Sequence, residues 1–123
     1  MSKSGWIGVD LDGTLAHYDG WNGPDHIGKP IKPMVDRVKK WIADGQEVRI
    51  FTARLHGHGS PLIGGGTYDA LTPIKKWCWD VFGTELEITN SKDYGLIELW
   101  DDRAIQVEMN TGRKISENQD DCK

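Results

Sequence analysis

Cysteine is scarce in this chain: there are two in 123 residues, Cys78 within an expected helix and Cys122 in a polar tail. Two such positions make no disulfide framework, and a reducing, cytoplasmic setting is the expectation. Long apolar runs are also missing. None approaches the roughly 20 residues a membrane span needs, and charged residues at 28% beside hydrophobic ones at 37% describe a soluble protein with no membrane partner. Residues Met1 to Gly5 are short and polar, with no apolar stretch behind a basic start, so no secretory signal is expected. Positive charge is not in excess either: the net charge is -4. That leaves out the broad cationic footprint on which nucleic-acid affinity mostly rests, although a local basic patch stays open. No internal repeat is present, and the length suits one domain over 1–123 and not two.

What the chain does have is an alternation of strand-like and helix-like segments. Trp6 to Val9 is an apolar run that reads as a buried strand. Residues 16–32 are rich in Gly, Asp, His and Pro and predict a flap at the carboxyl end of that strand. Pro33 suits a first helical turn, and Met34, Val35, Val38, Trp41 and Ile42 then recur at helical spacing until Gly45. Glu47 to Phe51 predicts a second strand, and strand, helix, strand is the order of a right-handed parallel crossover. The glycines of residues 55–67 leave too much backbone entropy to lose for a regular element, so a mobile loop is expected there. Thr72 and Pro73 suggest a cap and first turn for a helix carrying Ile74, Trp77, Cys78 and Val81 on one face, with Gly83 as terminator. Leu86 to Thr89 and Leu96 to Trp100 predict further strands, and 116–123 a frayed polar tail. The six tryptophans are read as core filling first and as base-stacking platforms second.

Chemistry is suggested where strands end. Asp10, Leu11, Asp12, Gly13, Thr14 and Leu15 follow the first strand directly, so two carboxylates lie at its carboxyl end, where ligands bind in open parallel sheets. Alternation puts positions i and i+2 on one side of extended chain, so both acids can face one ligand, and Gly13 permits a sharp turn. Thr52 ends the second strand and is followed by Ala53 and Arg54; Asp101 and Asp102 close the last. Phosphoryl transfer through a covalent intermediate needs such parts: a carboxylate nucleophile, an acid for the leaving oxygen, a cation to absorb charge, and donors around the transferred group. Arg54 and Arg103 could touch a substrate phosphate or offset the aspartates. His17, His26, His56 and His58 lack a spacing that encloses zinc.

The order Asp-x-Asp-Gly-Thr-Leu, Thr, Lys, Asp-Asp over about residues 6–109 resembles the motifs of the haloacid dehalogenase superfamily, most of whose members are phosphohydrolases or phosphotransferases. The resemblance implies a three-layer, Rossmann-like α/β parallel sheet. It implies Asp10 as the nucleophile that becomes an aspartyl phosphate and Asp12 as general acid and base. Thr52, Ala53, Arg54 and Lys92 would receive the phosphate, with Lys92 as the neutralising lysine and Lys75 or Lys76 as alternatives. Asp10, Asp101 and Asp102, with the backbone carbonyl of Asp12, would hold magnesium. The stretch from Lys92 to Asp101 is too short for the helix usual between parallel strands, which leaves the route of that segment open. There is no room for an inserted cap, so only the flap 16–32 and the loop 55–67 can cover the site. Trp100 to Met109, with Asp-Asp-Arg, is also similar to the phosphatase module of polynucleotide kinases and to small phage or bacterial phosphatases.

The expectation is thus a capless, magnesium-dependent phosphomonoesterase acting on a small metabolite, a nucleotide or a nucleic-acid end, with a homo-oligomer left open. Three alternatives stand beside it. A dehalogenase has no use for a proton donor at Asp12. A phosphoacceptor receiver domain carries its acid pair at the start of the chain, not at the end. A relative retained for binding without turnover is the third.

Overall fold

The computed structural model describes residues 4–115, so the polar tail expected at 116–123 lies outside the described residues. Four strands are present: β1 (Trp6–Val9), β2 (Glu47–Phe51), β3 (Glu87–Thr89) and β4 (Leu96–Trp100). They form one sheet in the order β3-β2-β1-β4, and every pairing is parallel. Two helices, α1 (Lys32–Ala43) and α2 (Leu71–Phe82), connect β1 to β2 and β2 to β3. This is a minimal Rossmann-like α/β sheet.

The apolar pattern explains the layering. Ile7, Val9, Val48 and Ile50 alternate onto one sheet face and form a single buried cluster with Met34, Val35 and Val38 of α1 and Ile74, Trp77 and Cys78 of α2. Both helices therefore cover the same face, as two successive right-handed crossovers in one direction require. Each helix stops at a glycine in left-handed backbone, Gly45 at φ 81° and Gly83 at φ 72°, which a β-carbon would disfavour. The start of α2 differs from the sequence reading. Asp69, not Thr72, serves the helix start: its Oδ1 accepts from the backbone N–H of Leu71 at 3.0 Å and of Thr72 at 3.1 Å. The nearer acid wins because an Asx turn satisfies two free N–H groups at once.

The opposite face has no helix among the described residues. Its layer is the extended segment 90–95, which runs from the carboxyl end of β3 at one edge to the start of β4 at the other. On the way Asp93 accepts from Trp6 Nε1 at 2.7 Å and lies 3.5 Å from Arg49 Nη1, while Gly95 accepts from the Trp6 backbone N–H at 2.7 Å. Arg49 stacks on the Trp6 ring, 4.4 Å from its centroid, and Trp6 stacks on Phe51. Six residues of extended chain span roughly 20 Å, enough to cross the sheet diagonally and too little to wind a helix as well. That is the route left open by the short spacing between Lys92 and Asp101.

Both loops are tied by hydrogen bonds. The flap is closed at its base by His17 N–H to Lys29 O at 2.8 Å and Ile31 N–H to Leu15 O at 2.7 Å. The glycine-rich stretch contains no named strand or helix beyond the short 3₁₀ turn Ala53–Leu55 that precedes it. It doubles back through Gly59 N–H to Tyr68 O and Tyr68 N–H to Ser60 O, both at 2.8 Å.

Candidate active site at the carboxyl ends of the strands

The register aligns Val9 with Ile50 and with Trp100, and Phe51 with Thr89, so all four strands end together. Asp10, Thr52, Asn90 and Asp101 are consequently the first residues beyond four adjacent strand ends. The order of strand addition switches sides at β1, with β2 on one flank and β4 on the other, and a crevice opens where the loops leaving β1 and β4 diverge. A cavity of about 780 Å³ lies here, lined among others by Asp10, Asp12, Thr52, Arg54, Asp101 and Asp102. Ala53 and Arg103 line it too.

Asp10, Asp101 and Asp102 meet. Each offers one carboxylate oxygen within 4.8 Å of the others. Asp10 is pinned from the sheet side, its backbone N–H donating to Trp100 O at 2.8 Å. Thr14 links the two ends of the chain: its hydroxyl lies 3.4 Å from Asp10 Oδ2 and 3.2 Å from Asp102 Oδ1, and it accepts from the Asp102 N–H at 3.1 Å. Asp101 Oδ1 accepts from the Arg103 N–H at 2.8 Å, which orients that carboxylate. Gly13 is required by the approach of Asp102. Its φ is +91°, and a β-carbon there would sit 2.7 Å from Asp102 Oδ2. Three carboxylates this close cannot all stay ionised without a counter-charge. Burial first, then a hydrogen bond with Asp102 and the charges of Asp101, Asp102 and Asp12, push the Asp10 carboxyl from 3.8 up to about 8. An all-oxygen, hard, anionic donor set of this kind suits a divalent cation such as Mg²⁺.

Asp12 does something else. Arg54 grips it with two bonds, Nε to Oδ2 at 2.7 Å and Nη2 to Oδ1 at 2.9 Å. The same guanidinium donates from Nη1 to Pro24 O at 3.3 Å and from Nη2 to His26 O at 2.9 Å. Arg54 is only 7% exposed. It therefore offsets an aspartate and fastens the flap, which is one of the two roles open from the sequence. The two acids of the Asp-x-Asp pair share the cavity, yet their carboxylates face different partners. Asp12 is outside the three-carboxylate cluster, its carboxylate being taken up by Arg54, so its side chain does not join the metal-ligand set expected from the sequence.

Thr52, 1% exposed, accepts from the Arg54 N–H at 3.1 Å through its Oγ1 and so caps the turn Ala53–Leu55. Its hydroxyl proton stays available to a ligand. Lys92 is exposed and is not part of the cavity wall, where Asn90 takes the corresponding place. Lys75 and Lys76 lie on the exposed side of α2, with Lys76 paired to Asp80 at 2.8 Å. The histidines converge on no common point among the described residues; His58 Nδ1 accepts from the Ala70 N–H at 3.0 Å.

Sequence reasoning missed the aromatic rim. Tyr18 and Trp21 from the flap, Phe51 from the end of β2 and Tyr68 beyond the glycine-rich loop line the same cavity. The available signal was position: Trp21 and Tyr18 lie in a Gly- and Pro-rich segment, on no apolar helix face or strand, so core filling had no element to act through.

The fold and the site define an α/β protein with an acidic pocket at the carboxyl ends of a parallel sheet. No family model and no curated protein matches the sequence. Among solved structures it is similar to a conserved protein coded by a locus of Bacteroides thetaiotaomicron, with a TM-score of 0.56 and 19% sequence identity, covering 83% of this chain and 78% of that one. At that identity the likeness carries the fold alone. No described helix is long and apolar enough to cross a membrane.

Proposed function

We propose that the protein is a magnesium-dependent phosphomonoesterase of the haloacid dehalogenase type, with Asp10 as nucleophile. The observation that carries the reading is the meeting of Asp10 with Asp101 and Asp102, from opposite ends of the chain, beside the Thr52 hydroxyl in one cavity. Mg²⁺ held by these three carboxylates and the Asp12 carbonyl would supply the positive charge that lets a carboxylate approach a phosphate dianion.

The residues divide the work as follows. Asp10 attacks phosphorus, the ester P–O bond breaks, and the leaving oxygen takes a proton from Asp12. Water then attacks the aspartyl phosphate, Asp12 takes the water proton, and the P–O bond to Asp10 breaks to release phosphate. Arg54 sets a condition on the first step. Both Asp12 oxygens accept from the guanidinium, so Asp12 must free an oxygen from Arg54 before that oxygen can carry a proton to the leaving group. The second step needs the same free oxygen, since it ends with the water proton on Asp12. Thr52 and the backbone of Ala53 donate to the phosphoryl oxygens; Lys92, exposed and outside the cavity wall, would have to swing inward to neutralise phosphate charge.

The Arg54 grip also favours a second reading, phosphoryl acceptance on Asp10 from a donor whose leaving group needs no proton, without turnover, because an Asp12 that stays engaged by Arg54 through both oxygens would not take the proton of the attacking water. Phosphate release from a panel of phosphomonoesters, with Mg²⁺ and with chelator, separates the two. The expected result is cation-dependent, multiple-turnover release that Asp10→Asn removes. A single stable phosphorylation per chain would establish the second reading, and release by Asp10→Asn at the wild-type rate would end both.

A further inference from the structure

The rim of this cavity presents rings where a general phosphatase would need only charge. Trp21 is 53% exposed, in contrast to Trp6 at 1% and Trp77 at 9%. Its indole is backed by the Arg54 guanidinium, 4.9 Å from the ring centroid, and the residue lines the cavity. Arg54 is itself immobilised, with bonds to Asp12, Pro24 O and His26 O. Tyr68 is fixed too: its hydroxyl donates to the Arg54 carbonyl at 2.9 Å. Tyr18, 43% exposed, joins them from the flap. Arg54 is thus spent as the backing of an aromatic platform, not as a fork for phosphate. A half-exposed indole backed by a fixed guanidinium, on the wall of the cavity that also contains Asp10, is a surface suited to a flat partner.

We propose that the site takes a nucleotide phosphomonoester, with its base on Trp21 and its phosphate over Asp10; this rests on the phosphohydrolase reading above. A sugar or glycerol phosphate would leave the rings in water, whereas a purine or pyrimidine covers them. Asn90 on the same wall offers both a donor and an acceptor to a base edge or sugar hydroxyl. The cavity, about 780 Å³, is of the size that small ligands fill. The net charge of -4 opposes a long polyanion, so the free nucleoside monophosphate is the favoured source of this chemistry over a phosphorylated strand end.

The test compares kcat/KM for nucleoside 5'- and 3'-monophosphates, ribose 5-phosphate and terminally phosphorylated oligonucleotides. Wild type, Trp21→Leu, Trp21→Phe and the control Trp79→Leu are assayed, Trp79 being exposed on α2 away from the cavity. Wild type is expected to prefer nucleoside monophosphate over ribose 5-phosphate by about tenfold or more, the worth of one stacked base. Trp21→Leu should bring that ratio near unity, Trp21→Phe should restore most of it, and Trp79→Leu should leave it unchanged. Preference for the oligonucleotides, lost in Trp21→Leu, keeps the base on Trp21 and moves the source to a strand end. A wild-type ratio near unity, or one that Trp21→Leu does not alter, overturns the proposal. If no phosphomonoester is turned over, equilibrium dialysis of nucleoside monophosphate decides separately. Binding that depends on Trp21 sustains the nucleotide site and removes the phosphatase, and absence of binding removes both.

Discussion

Replacing Arg54 by alanine strips the partner from four acceptors at once: both oxygens of Asp12, the Pro24 carbonyl and the His26 carbonyl. Removing one member of a buried ion pair typically costs about 3–5 kcal/mol, because the remaining charge is stranded in a poor solvent. The Asp12 side chain is 20% exposed and gains water when the guanidinium is gone, so the expected loss is about 2–4 kcal/mol. For a chain of 123 residues that corresponds to a melting point lower by roughly 6–20 °C. Arg54→Lys keeps the charge but not the fork that serves a carboxylate and two carbonyls, and should fall between. Asp12→Asn leaves the guanidinium buried against a neutral amide and should lose a similar amount. The informative quantity is the double variant. With both charges absent, its loss should be smaller than the sum of the two single losses by about 1.5–3 kcal/mol, measured by urea unfolding followed through tryptophan fluorescence. Additivity within about 0.5 kcal/mol would show that the two side chains do not hold each other, and the account of Arg54 as clamp and platform would fall with it.

Further outcomes follow from the same geometry. Asp10→Asn should lower phosphatase kcat by more than about 10⁴-fold, while Asp12→Asn should reduce kcat more than it weakens phosphate binding; equal losses in both quantities for Asp12→Asn would remove its proton-transfer role. The folded protein holds a proton on Asp10 up to about pH 8 that the unfolded chain releases near 3.8, so cation-free protein should lose stability as pH rises between those values. Part of the full shift is screened by water, which leaves about 2–3 kcal/mol, and Asp10→Asn or added Mg²⁺ should flatten the profile in melts at pH 5 and 8. Asp69 and Asp93 act in the other direction and in another window. Hydrogen bonds hold both below 3.8, so their stabilisation is lost only on acidification below that value. Gly13→Ala forces a β-carbon against Asp102 at φ +91°, and should cost about 1–3 kcal/mol and weaken Mg²⁺ binding in calorimetric titration; unchanged affinity would mean that Asp102 is not a ligand.

Most elements were legible because each carries a local signal. The buried run Trp6–Val9, the helical recurrence through Val38 and the glycines at 45 and 83 report periodicity and backbone freedom within a few residues. Asp10, Thr52 and Asp101 were legible as strand-end residues for the same reason. Thr72 was misread because a second capping side chain, Asp69, stood three positions earlier and both fit the local pattern. The layer formed by 90–95 could not be read at all from its own residues. Its path depends on β3 and β4 being opposite edges of the sheet, and the length of the segment only told that a helix would not fit.

The amino-acid sequence alone determined the parallel α/β character and the set of residues at the strand ends, since both follow from short-range alternation and from turns only glycine adopts readily. The partners of those residues were decided by the tertiary structure. Asp12 and Asp10 are two positions apart, yet one carboxylate meets Arg54 across 42 residues, and Thr14 joins the other's neighbourhood to Asp102 across 88. Separations of that size are closed by strand order and loop length, quantities that no local window contains. The same holds for Trp21, whose identity was plain and whose place over Arg54 existed only once the flap had closed onto the strand ends.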